Sequence, residues 1–224
     1  MKIFNKLCSY WQQKILLAAG LIGIAGLCLI SIGFASQQHA PILGKKTLGK
    51  IPSQTHYFAP GSVISTSVAH TVPVSIDIPS IQVNSHLIQL GLNPNGSVEV
   101  PSLFAKPSQP GWYKYSPVPG QIGPAVILGH IDTYKGPSIF FRLGLLRPGN
   151  HIYVTLSNQT TVEFQVNAVA SYPKTSFPTG QIYGNTSYPA LRLITCGGAF
   201  DSTTHSYLSS TVIYASLMSS SQNK

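Results

Sequence analysis

Twenty-one consecutive residues, Ile15 to Ala35, carry no charge and a single hydroxyl. As a helix at 1.5 Å per residue this run is about 32 Å long, the thickness of a bilayer's hydrocarbon core. It is longer than the roughly 7–15 residues of a signal-peptide core, so a retained anchor is expected rather than cleavage after Ala35 or Ser36. Lys2, Lys6 and Lys14 precede it. Positive charge is retained on the cytoplasmic side, so residues 1–14 are expected there as a tail, with 15–35 as a transmembrane signal anchor. Everything after Ala35 is then outside the cell, in a single-pass protein of the cell membrane.

Residues 36–70 are rich in Gly, Pro, Ser, Thr and Gln without periodicity, and they read as a flexible linker. Residues 71–217 remain as one globular domain, long enough for a sizeable core, and 218–224 form a short polar tail. Beyond Ala35 there are 11 Lys/Arg against 5 Asp/Glu, which leaves +6 on the exported part. No Arg-rich helix or Lys/aromatic stripe accompanies that charge, so nucleic-acid binding is not supported. The few acids and scattered histidines give no metal-ligand spacing, and no glycine loop suited to a phosphate is present. No cofactor is expected.

The domain reads as all-β. Val72, Val74, Ile76 and Ile78 alternate with polar or small residues up to Pro79. Pro124 to Gly129 is an apolar run typical of a strand covered on both faces. Ile152, Val154 and Leu156 alternate, as do Val162, Phe164, Val166 and Ala168, and the polar stretch Ser157 to Thr160 between them predicts a hairpin. Leu191 to Thr195 and Thr211 to Ala215 are two further strands. Many short strands separated by Gly/Pro turns suggest a barrel or a sandwich. One short helix is expected over Ile139 to Leu146, where Phe140, Leu143 and Leu146 share a face.

Within this domain Cys196 stands at the end of a strand, before Gly197 and Gly198. Cys8 lies in the tail and Cys28 inside the apolar run, so no second cysteine is expected outside the membrane to form an intramolecular disulfide. An isolated cysteine is either a reactive thiol or a small buried hydrophobe. A nucleophilic thiol needs a basic partner within hydrogen-bond reach. His130 is the best candidate, because it too ends a buried run, in Leu128-Gly129-His130-Ile131-Asp132. Two strand ends opening on one rim can bring the pair together across 66 positions. His39, His56 and His70 lie in the linker, His86 and His151 in alternating strands, and His205 in a polar loop close enough to flank the site.

Three blocks of this domain closely resemble the sortases, the membrane-anchored cysteine transpeptidases of Gram-positive bacteria, and within them the class F group. They are Val74 to Ile81 with Leu90-Gly91-Leu92 and Gly111-Trp112-Tyr113; Ala125 to Asp132 with Phe140 to Leu143 and Leu146 to Gly149; and Leu191 to Asp201. The resemblance implies an eight-stranded β-barrel with short helices and an active site at one rim. It implies that Cys196 attacks the Thr–Gly carbonyl of an LPXTG-like sorting signal at the C-terminus of a surface protein. The thioacyl intermediate is then passed to an amine of a peptidoglycan precursor or a pilin, with His130 as acid and base.

One feature of the family is missing. Sortases use an arginine on the strand after the cysteine, expected about twelve residues on. Here Tyr207 is followed by Leu208, Ser209 and Ser210, and no arginine follows Cys196. Arg192 shares the strand face of Cys196 but sits about 13 Å away. The backbone near Gly197, or the hydroxyls of Tyr207 and Thr211, are the alternatives. The competing reading is a degenerate sortase fold that binds sorting peptides or wall without turnover. An L,D-transpeptidase is set aside, since that family places a histidine two before the cysteine, where Ile194 stands.

Overall fold

The computed structural model describes residues 48–49, 71–104 and 107–218. The expected tail, anchor and most of the linker fall outside these residues. Among the described residues no helix is long and apolar enough to cross a membrane.

The strands are β1 (Leu48–Gly49), β2 (Pro73–Ile78), β3 (Val83–His86), β4 (Ile88–Leu90), β5 (Gly111–Tyr113), β6 (Gly123–Leu128), β7 (Asp132–Thr133), β8 (Gly136–Pro137), β9 (His151–Leu156), β10 (Thr161–Pro173), β11 (Pro189–Asp201) and β12 (Ser206–Leu217). Ten of them form one sheet in the order β3-β2-β9-β10-β12-β11-β6-β5-β4, with β1 added to β10. β7 and β8 make a separate two-stranded ribbon. The result is the expected all-β barrel with few helices, although the described residues hold twelve strands, ten of them in the main sheet, rather than eight. The five shortest strands, β1, β4, β5, β7 and β8, have two or three residues each, too short for an alternating pattern to register. Leu48–Gly49, inside the expected linker, pairs with Val169 and Ala168.

The β9–β10 hairpin forms where the two alternating runs flank the polar turn, with Val154 opposite Val162 and Ile152 opposite Phe164. β6 is buried along its whole length, because both its faces are covered. On one side lies the main core, with Ile76, Trp112, Ile127, Phe164, Leu191, Leu193 and Ile213. On the other lies a second cluster with Val126, Leu128, Ile194, Val212 and Tyr214. That second face is capped by α1 (Thr179–Tyr183), whose Ile182 is fully buried in the cluster.

The helix expected over 139–146 is a single 3-10 turn, Leu143–Leu145. Phe140, Leu143 and Leu146 are all fully buried. Their spacing of three matches a three-residue turn better than a 3.6-residue α-helix, which is why one face was legible and the helix type was not.

Candidate active site

The one parallel pairing among the long strands builds the site. β11 runs parallel to β6, with Leu193 opposite Ile127 and Ile194 opposite Leu128. Parallel strands end at the same rim. Gly129 N–H continues the ladder by donating to the Ile194 carbonyl at 3.1 Å. His130 and Cys196 are each two residues past the last paired positions, so they occupy equivalent places on adjacent strands and share the face of Leu128 and Ile194.

Both residues line a cleft of about 40 Å³ at this rim, floored by Leu128 and Ile194. Val100 and Pro101 close one side, and Ser210 and Lys174 form another part of the wall. The cleft has room for a few atoms of a reacting group, not for a folded peptide.

His130 is partly buried, and its Nε2 is 2.6 Å from the Pro101 carbonyl oxygen. A carbonyl only accepts, so Nε2 carries the hydrogen, and in the neutral ring Nδ1 is the basic nitrogen. Burial pushes the imidazole below its ordinary pKa, against the Pro101 hydrogen bond and the Asp132 carboxylate, which both pull it up. Asp132 in turn accepts a short hydrogen bond from the Tyr207 hydroxyl. That bond ties the start of β7 to the start of β12.

Cys196 is half-buried and packs beside Ile131, Phe141, Phe200 and Tyr207.

The glycines beside the pair have separate roles. A Cβ on Gly129 would come within 2.5 Å of the Phe140 ring, so this glycine admits a core aromatic rather than a substrate. Gly198 has φ +77, the left-handed region that favours glycine. It lies in a bulge, where the pairing steps from Gly197 opposite Ser209 to Phe200 opposite Tyr207. The bulge turns β11 immediately after Cys196.

The pairing of β11 with β12 locates the expected arginine position. Leu208, twelve residues after Cys196, is 53% exposed and outside the cleft. The residue directly opposite Cys196 on β12 is Ser210. The three arginines are all engaged elsewhere. Arg192 is buried with its guanidinium 4.6 Å from the Tyr214 ring centre and donates to the Leu191 carbonyl at 3.2 Å. Arg142 donates to Gln82 Oε1, and Arg147 to the Leu145 and Leu146 carbonyls. Of the two hydroxyls considered as substitutes, Tyr207 donates to Asp132, and Thr211 lies against Gly197 on the other face of the sheet. His205 is exposed in the β11–β12 turn and does not reach the cleft.

Sequence reasoning did not single out Lys174, Ser210 or Pro101. Lys174 follows the end of β10 and carried no motif. Only the order of strands in the sheet brings it to the rim. Among the described residues no group of three His, Cys, Asp or Glu is arranged to hold a metal.

A sortase domain model matches residues 76–218. Among solved structures the chain is similar to sortase A from Corynebacterium diphtheriae, at 19% identity and TM-score 0.50, over 68% of this chain and 63% of that one. It is also similar to sortase C1 from Streptococcus suis, at 15% identity and TM-score 0.50, over 66% of this chain and 73% of that one. The aligned part thus spans less than two thirds of the first of these. At such identities the likeness is one of fold. No curated protein sequence matches the chain. The domain model covers well over half of the chain and contains both strand ends of the rim, and on that ground the chain belongs to the sortase family.

Proposed function

We propose that this chain is a membrane-anchored cysteine transpeptidase, of the class F kind, which cleaves an LPXTG-like sorting signal between Thr and Gly and transfers the acyl group to an amine of the cell envelope. Cys196 is the nucleophile and His130 the acid and base. The observation that carries this reading is the parallel register of β6 and β11, which sets thiol and imidazole side by side at one rim of one cleft.

The chemistry follows from that pairing. His130 takes the thiol proton, and the thiolate Sγ attacks the Thr carbonyl carbon. A C–S bond forms and the carbonyl π pair moves onto oxygen. The tetrahedral oxyanion then collapses, the C–N bond breaks, and the leaving Gly amine takes the proton from the imidazolium. The incoming amine reverses the sequence, giving its proton to His130 and displacing the thiolate, so enzyme and protons are restored. Burial holds the resting imidazole neutral at pH 7, the form that can accept the first proton.

The test is a reaction of the reduced full-length protein with a small library of LPXTG-like pentapeptides and triglycine. Ligated product seen by mass spectrometry from wild type, and none from Cys196→Ala, is the expected result. Peptide binding without any cleaved or ligated product would favour a binding module.

A further inference from the structure

Acyl transfer creates an anion on the carbonyl oxygen, and a site that speeds it must aim positive donors at that oxygen. None of the three arginines lines the cleft. One other cation does.

The strand order β10-β12-β11-β6 lays the cleft out in one row. Tyr172 on β10 is opposite Ser210 on β12, and Ser210 is opposite Cys196 on β11. His130 follows on the far side, beyond β6. Adjacent strands lie about 4.8 Å apart, so the end of β10 is about 10 Å from the Cys196 backbone. Lys174 stands two residues past Tyr172, where β10 ends, and its long stem reaches the same cleft. The residue between lysine and thiol is Ser210, buried and small. A larger side chain there would stand between them.

We propose that Lys174 is a catalytic residue whose ammonium donates to the oxyanion formed when Cys196 attacks the peptide carbonyl, a role that rests on the transpeptidase reading above. In the step itself the carbonyl π pair moves to oxygen as the C–S bond forms. That oxygen accepts an Nζ–H, and the donor is released when the pair returns and the C–N bond breaks. No proton is transferred to or from Lys174.

Two features suit the lysine to this task. Its Nζ donates to Ser206 Oγ at 2.9 Å, which orients the head group and uses one of three hydrogens. Among the described residues no carboxylate lies within ion-pair distance of it. Burial lowers its pKa to about 8. It is therefore still charged at pH 7 but poorly compensated, and an anion arising in the cleft supplies the missing partner.

The experiment compares wild type, Lys174→Met and Lys174→Arg as reduced full-length protein, with LPXTG-like pentapeptides and triglycine as probes. Lys174→Met is expected to lower kcat by about 10²–10³-fold with KM nearly unchanged. Lys174→Arg, which keeps the charge and the donors, is expected to recover most of that loss. A melting curve guards against loss of fold, and if Lys174→Met is unfolded, Lys174→Gln is read in its place. A kcat within about threefold of wild type, a loss confined to KM, or an arginine variant as slow as the methionine one would overturn the assignment. Wild type that forms product while Lys174→Met matches it removes only the lysine role. Wild type that forms no product removes the transpeptidase reading and the lysine role together.

Discussion

The two faces of β11 are built from different chemistry although they alternate along one strand. Leu191 and Leu193 point into the main core among Ile76, Ile127, Phe164 and Ile213, with no charged group. Arg192, Ile194 and Cys196 point the other way, toward tyrosines, the α1 cap and finally the open cleft. One face holds the barrel together. The other carries a gradient from a buried guanidinium to a half-exposed sulfur within four residues. Position along the second face, not residue type, decides what each group can do. Arg192 has the chemistry an oxyanion needs, yet it is held against Tyr214, while the less obvious Lys174 reaches the cleft from another strand.

The largest effect is expected at Cys196. Cys196→Ala should abolish transpeptidation and change stability by at most about 1–2 kcal/mol, because the residue is only half-buried. Peptide turnover and a urea melt measure both, and a variant that unfolds would move Cys196 to the structural side. His130→Ala comes next. Proton transfer by a placed side chain is worth about 10²–10⁴-fold, so kcat should fall by that order while peptide affinity holds. A purely structural histidine would instead lower Tm and leave the rate of the folded fraction intact.

On the opposite face, Leu193→Ala should cost about 2–5 kcal/mol in a denaturant titration, from a fully buried position, with kcat unchanged below the transition. Arg192→Met should do least. The guanidinium has a buried Nε without a partner among the described residues, so its desolvation is only partly offset. An apolar replacement of similar length should change stability little and kcat not at all. A large fall in kcat for Arg192→Met would show that this arginine reaches the reaction after all.

Much of the main core was readable from alternation, because Val154, Leu156, Val162, Phe164 and Val166 follow the period of two that a strand with one buried face imposes. The continuous apolar run of β6 correctly signalled a strand covered on both sides. What stayed hidden depended on contacts distant in sequence. β4 and β5 are three residues each, held by pairing rather than by pattern. The parallel register of β6 and β11 placed His130 beside Cys196, and period counting could name the two strand ends but not their adjacency. Counting twelve residues from Cys196 reached the exposed Leu208, whereas the residue facing Cys196 is Ser210, a pairing that only the observed register reveals.

Whether Cys196 carries the acyl group is read by intact mass. The full-length protein is reduced with a dithiol, incubated with LPXTG-like pentapeptides without an amine, and its intact mass recorded before and after triglycine is added. An adduct of the acyl fragment mapped to Cys196 is expected, disappearing when the amine arrives as ligated peptide accumulates. A reduced Cys196 that reacts with iodoacetamide yet forms no acyl adduct with any peptide would contradict that expectation.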